Sequence, residues 1–318
     1  MQIQEEVLQV LLIGIANGAI IALIALGYTL VYGIIELINF AHGEVFMIGT
    51  MAALTIVTWV PSLFGVKQAF TLPGPIVALI VLGSLVAAMV TCALLNVVVE
   101  RVAYRRLRAA PKLAPLISAI GVSFVLVNVG LLWKGPSQLN FPDLLPQVDI
   151  FRDWLGINTL VLFTFKDLLA IVIAVPLMLG LHLFVQHTRL GKAMRATAQD
   201  RDAASMMGID INLTIALTFL LGGALAGAAG AINGLYNNSA WAFQGFRGGL
   251  YAFTAAVMGG IGNLRGAYIG GMAIGIVAAI SDRVIDARWT QVVVFGLLIL
   301  VLIFKPTGIL GEETTERA

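Results

Sequence analysis

The chain has 318 residues, of which 59% are apolar and only 11% charged, against roughly 45–50% and 25% in soluble domains, and this excludes an ordinary soluble enzyme or binding module. Its net charge of +2 says little as a sum, so the placement of the charges carries the information. The single cysteine, Cys92, lies inside an apolar run; that excludes a disulfide framework or a cysteine metal site and reads as a small buried hydrophobe.

A membrane-spanning helix needs about 20 mostly apolar residues. The first such run, 8–32, lacks the basic start and small-residue cleavage site of a secretory signal and reads as a retained helix. Glu5 and Glu6 precede it, with no Lys or Arg before Lys67, which favours an external start. The next run, 45–62, is entered through INFAHGEVFMIG, where Glu36, Asn39, His42 and Glu44 interrupt the apolar stretch. A carboxylate at bilayer depth costs several kcal/mol unless paired, hydrated or protonated. Three readings stand side by side: a boundary turn in which Asn39 caps a helix whose first turn holds His42 and Glu44; the polar wall of a translocation path; or a proton relay or metal pair. On a helix His42 and Glu44 diverge by about 200° and cannot serve the same partner.

After the run 76–99 comes ERVAYRRLRAAPK, residues 100–112, with Arg101, Arg105, Arg106, Arg108 and Lys112 against one glutamate. Positive charge beside a span marks the cytoplasmic side. The run 115–133 then leads to a proline-containing segment of mixed charge, 134–167, expected outside, and 167–186 leads back in. The loop 186–210 carries Arg189, Lys192, Arg195 and Arg201 among alanines, and from Leu190 to Met207 reads as an amphipathic helix or helix pair. Gly208 should stop it, and Asp210 should cap the next span. Short helices of this kind are marginal alone in water, so a cytoplasmic partner surface is expected to hold them.

The run 212–235 sets Gly222, Ala226, Gly230 and Gly234 four residues apart, a smooth stripe for close helix packing. The segments 249–262 and 266–280 flank MGGIGNLRG, where Gly259, Gly260, Gly262 and Asn263 interrupt the helical pattern. Broken helices persist in membranes where they are buried in protein or line a wet cavity, so this break is a candidate gate or path wall. Asn17, Asn96, Asn128 and Asn233 are expected to form interhelical hydrogen bonds. A last run at 290–304 precedes Lys305, which places the end weakly inside. The total is eight or nine passes in one transmembrane domain, 1–318; an external start with an internal end requires an odd number. No Walker A pattern occurs, so any ATP must be bound by another chain.

INFAHGEVFMIG, TRLGKAMRATAQDRDAASMMGIDI, LYAFTAAVMGGIGNLRGAYIGG and FKPTGILG, in that order over nearly the whole chain, resemble the LivH-type permease of bacterial branched-chain amino acid ABC importers. The resemblance implies an all-α polytopic type II importer permease in the inner membrane that translocates leucine, isoleucine and valine. It implies a LivM-like second permease, two LivG/LivF-like ATP-binding subunits and a periplasmic substrate-binding protein, with membrane lipid around it and no nucleic acid. No cofactor or catalytic residue is expected in this chain. Gly191, Lys192, Arg195, Arg201, Asp202, Ala203 and Gly208 match the segment that contacts the ATPase, and Asn39, His42, Glu44, Gly259, Gly260, Gly262 and Asn263 are the path candidates. Relatives that carry urea, amides or other amino acids share these motifs, and an ion-coupled secondary transporter is the more distant alternative.

Overall fold

The long apolar runs become long helices in the computed structural model, which describes residues 2–63, 73–108, 110–111, 113–157 and 159–311. In chain order they are α1 (Gln2–Ile35), α2 (His42–Leu63), α3 (Gly74–Val99), α4 (Leu113–Lys134), α5 (Phe165–His187), α6 (Arg189–Gln199), α7 (Arg201–Met206), α8 (Ile211–Asn237), α9 (Gln244–Gly259), α10 (Leu264–Ser281) and α11 (Thr290–Phe304). Helical turns prolong α3 through Leu107 and α10 through Asp286. Two short antiparallel strands, β1 (Leu139–Asn140) and β2 (Ser239–Ala240), pair with Leu139 opposite Ala240. Among the described residues, α1 to α5, α8 and α10 are the seven helices long and apolar enough to span a bilayer.

Contacts sort the chain into two ends. At one, Gln9 and Leu162 exchange hydrogen bonds of 2.9 and 2.6 Å, Arg283 pairs with Glu6 at 2.8 Å, and Phe141 N–H donates to Asn238. The start of α1 therefore shares its end with the loop between α4 and α5. At the other, Arg108 donates to Asn212 at 2.8 Å, Arg201 to the Ile34 carbonyl at 2.8 Å, and Asn263 to the Leu310 carbonyl at 2.8 Å. The basic loops lie here, so this is the cytoplasmic end by the positive-inside rule. Lys112 of the basic loop lies outside the described residues. Among the described residues, α9 and α11, of 16 and 15 residues, join the seven longer helices in running between the two ends. Gln9 and Leu310 accordingly sit at opposite ends, as the sidedness of the loops requires.

Small residues set the packing, because lipid tails are as apolar as leucine and only close backbone approach rewards helix association. Down the antiparallel α1/α10 contact, a Cβ on Gly14 would lie 2.8 Å from Ile276 Cα, and one on Gly18 would lie 2.9 Å from Met272 Cα. The α8 stripe serves two neighbours: Gly230 would meet Thr50 N of α2 at 2.6 Å, while Gly227 would meet Met89 Cα of α3 at 2.9 Å. The amides divide. Asn96 of α3 donates 2.6 Å to Phe219 O of α8, the expected interhelical bond, but Asn128 donates 2.8 Å to Phe124 O in its own helix, and Asn233 accepts from Asn237 one turn on. Asn17 and Asn233 face one cavity near the outer end instead of bridging helices.

Candidate functional site: two half-depth helix starts and a seated cytoplasmic helix pair

The first turn of α2 is not at a membrane surface. His42 lies against Gly27, which also abuts Gly222; these are interior positions of α1 and α8, so residues 36–41 carry the chain from the inner end back to mid-depth before α2 begins. The sequence supports this: Glu36 adopts a left-handed φ of 53°, and Asn39 Oδ1 accepts from Ala41 N–H at 3.2 Å and from Tyr104 Oη at 3.2 Å. The Asn39 amide reaches Asn96 at 3.5 Å, which is itself bonded to α8. Asn39 therefore organises the turn and ties it to α3, and His42 and Glu44 occupy the first turn of α2, at a depth the boundary reading does not expect.

α9 mirrors this start. After β2 the chain descends from the outer end, and α9 begins where Gly245 and Gly249 abut Gly43: a Cβ on Gly43 would lie 2.5 Å from Gly245 O and 2.9 Å from Gly249 Cα. Two helix N-termini, one running outward and one inward, thus meet at mid-depth, where irregular backbone is tolerated because protein surrounds it. His42 and Glu44 diverge as the helical spacing requires. The His42 ring lies 4.7 Å from Tyr28, edge on, and faces α1 and α8. Glu44 turns to α4 and α9, accepting 3.4 Å from Ser123 Oγ and lying against Gly245. Both are buried, and neither ring nitrogen of His42 nor Oε2 of Glu44 has a hydrogen-bond partner among the described residues. No group of three metal-ligating side chains forms among the described residues.

The break after α9 sits at the inner end. Gly260 and Gly262 take φ of 105° and 94°, conformations only glycine adopts cheaply, and Asn263 caps α10 by accepting from Arg265 and Gly266 N–H at 3.0 and 3.3 Å. The terminal segment lies over it: Ile309 N–H donates to Met258 O at 2.8 Å and Leu310 N–H to Gly259 O at 3.0 Å. The structure brings Gly259, Gly260, Gly262 and Asn263 together with residues 309–311, and does not join them to the Asn39–His42–Glu44 turn in one cluster. That covering role for the terminal motif has no periodic signal by which it could be found.

The cytoplasmic helix pair forms as the alanine pattern expects. Thr188 caps α6, accepting from Gly191 N–H at 3.0 Å while donating to Phe184 O at 2.7 Å; Asp200 caps α7 through Ala203 N–H at 2.9 Å, and Asp210 caps α8 through Leu213 N–H at 3.0 Å. Gly208, with φ of 82°, ends α7. Gly191 has no room for a side chain against the Phe184 and Val185 carbonyls. Arg195, which stays exposed, donates to Val185 O, and the half-buried Arg201 donates to Ile34 O, seating the pair on the ends of α5 and α1. Lys192, Asp202 and Ala203 face solvent. Sequence reasoning missed Met206 and Met207, 87% and 83% exposed at the end of α7; two adjacent methionines just before a glycine stop were the available signal. Beneath α6 and α7 lies a cavity of about 370 Å³ bordered by Glu36, Arg108 and Arg201. Burial draws the Arg108 guanidinium below its ordinary pKa, and the Glu100 carboxylate bonded to it offsets part of that fall.

Residues 10–302 match the family described as branched-chain amino acid transport system / permease component. The high-affinity branched-chain amino acid transport system permease protein BraD of Pseudomonas aeruginosa is 42% identical over 98% of this chain and 97% of its own length. LivH of Escherichia coli K12, a permease protein of the same description, is 39% identical over 98% and 97%, and the probable LivH of Methanocaldococcus jannaschii is 30% identical over 94% and 92%. With its seven long apolar helices, the protein is a multi-pass protein of the inner membrane. Match and identity both run nearly end to end, and the chain belongs to the family of branched-chain amino acid transport system permease components.

Proposed function

We propose that this chain is the permease subunit of an ATP-driven importer that carries leucine, isoleucine and valine across the inner membrane. It would work beside a LivM-like second permease, two cytoplasmic LivG/LivF-like ATP-binding subunits and a periplasmic substrate-binding protein. The observation that carries the reading is the near full-length identity, 42% and 39%, to permeases named for high-affinity transport of these amino acids. ATP hydrolysis belongs to the partner subunits.

The cytoplasmic helix pair supplies the mechanical link. Its exposed face, with Lys192, Asp202, Ala203, Met206 and Met207, is what an ATP-binding subunit would grip. A push on it moves α5 and α1, because Arg195 and Arg201 are bonded to the ends of those two helices. Displacing the end of α1 shifts residues 36–41, hence the start of α2, and with it the Gly43 contact to α9. Asn39, His42 and Glu44 would then act as the hinge and polar wall of the path, and Gly259 to Asn263 as its inner margin. The glycine- and alanine-lined helix contacts allow such sliding without large side-chain repacking.

The test is gentle extraction of the tagged chain from its native membrane and identification by mass spectrometry of what stays bound. Two ATP-binding proteins and a second permease are expected. Recovery of the chain alone, in an extract where other ATP-driven complexes survive, would overturn the reading.

A further inference from the structure

Between the outer halves of α1, α8, α9 and α10 lies a cavity of about 490 Å³, a size suited to a small ligand. Resting on the importer reading, we propose that this cavity is a binding site within the permease for the zwitterionic transported amino acid, between its release from the binding protein and its passage through the α2/α9 junction.

The wall is chemically two-sided. Arg247, in the first turns of α9, holds its guanidinium 5.7 Å from the Tyr251 ring centroid, and across the lining Asp282 accepts a hydrogen bond from Thr290. Both border the cavity. Two buried donors in the same wall have no partner among the described residues: the Tyr251 hydroxyl and the Gln244 side-chain amide nitrogen, whose own oxygen accepts from Trp241 N–H at 3.3 Å. Orphaned buried polar atoms are costly in a finished structure, and both residues border this cavity. The inner floor is apolar, formed by Ile20 and Ile24 of α1 and Phe46 of α2.

That combination selects a class. A guanidinium pairs with a carboxylate in a bidentate geometry, and Asp282 suits an ammonium. A neutral molecule bearing both satisfies both ends, whereas a simple anion faces Asp282 and a simple cation faces Arg247. The apolar floor takes a short branched aliphatic side chain. The position also fits the traffic: Phe46 packs on Gly248, and Gly245, one turn away, packs on Gly43, so the floor of the cavity is the roof of the junction. Arg247 and Asp282 are solvent-exposed, which keeps the attraction weak enough for release.

The test uses the complete importer with its binding protein in proteoliposomes. Arg247→Gln and Asp282→Asn are each expected to lower leucine uptake at saturating binding protein about tenfold while the subunits still copurify. Separately, Asn233→Cys, with the native charges retained, should react with a membrane-impermeant thiol reagent from the outer face, and millimolar leucine, but not glycerol, should slow that reaction severalfold. The chain's own Cys92 is buried and leaves the signal to position 233. Undiminished uptake in both charge variants, or a label that is blocked from the start or indifferent to leucine, overturns the site. Wild-type vesicles that fail to take up leucine with ATP would instead overturn the importer reading on which it rests.

Discussion

Gly43 is where one missing methyl group matters most. It stands between His42 and Glu44, and an added Cβ would come 2.5 Å from Gly245 O and 2.9 Å from Gly249 Cα, backbone atoms that cannot rotate away. Gly43→Ala is therefore expected to cost about 1–3 kcal/mol of overpacking and to lower both the thermal midpoint of the purified complex and uptake; an unchanged midpoint would refute the close contact. Outside the membrane, Asp143 pairs with Lys166 at 2.7 Å and accepts from Gln147 at 2.7 Å. Burial pushes its carboxyl up, but these partners outweigh burial and hold its pKa below the ordinary 3.8. A depressed folded-state pKa means stability that is present above the unfolded value and lost as pH falls through the folded one. Asp143→Asn should accordingly lower the thermal midpoint at neutral pH, and the gap from wild type should close in strong acid; a gap independent of pH would contradict the assignment. At this scale the sequence was informative about types and poor on partners. The divergence of His42 from Glu44 was legible from spacing, because it is local. The bonds from Arg195 and Arg201 to backbone carbonyls were not, since a charged residue on an amphipathic loop reads as solvent-facing until the carbonyl it can reach is known.

α7 is six residues long, too short to hold its shape alone, and its Asp200 cap, its seating through Arg201 and its Gly208 stop compensate for that. What it presents outward is methionine, a flexible side chain suited to an adaptable contact. Met206→Asp or Met207→Asp should leave the chain inserted and folded, because both side chains are exposed, yet cut substrate-stimulated ATP hydrolysis severalfold; unchanged stimulation would remove α7 from the coupling surface. Arg201→Glu should be more damaging than either, because it breaks the bond to Ile34 as well, and a fall in thermal midpoint beside the loss of coupling would distinguish the two roles. Element boundaries were largely readable: the runs 8–32, 115–133 and 290–304 sit on α1, α4 and α11 with small shifts at the ends. The starts of α2 and α9 at mid-depth were not readable, because hydropathy reports how apolar a segment is and not the level at which it begins. The glycine break at 259–263 was legible as a break, but its covering by residues 309–311 depends on contacts nearly fifty residues away.

Across the whole molecule the parts combine into one device: an outer end tied by Gln9, Glu6 and Arg283, an inner end carrying the seated helix pair, and two half-depth helix starts between them. Gln9 and Leu310 at opposite ends agree with the charge asymmetry of the loops, which called for an odd number of passes while the apolar runs left eight or nine open. The central claim is that ATP, supplied through partner subunits, drives amino acid import through this chain. The most direct measurement is uptake of labelled leucine by proteoliposomes holding the copurified complex and its binding protein, with ATP supplied on the face bearing α6 and α7 and ionophores present to collapse ion gradients. Uptake that persists under ionophores and stops when ATP is withheld is the predicted result. Uptake that continues without ATP and collapses with the ion gradient would contradict the account.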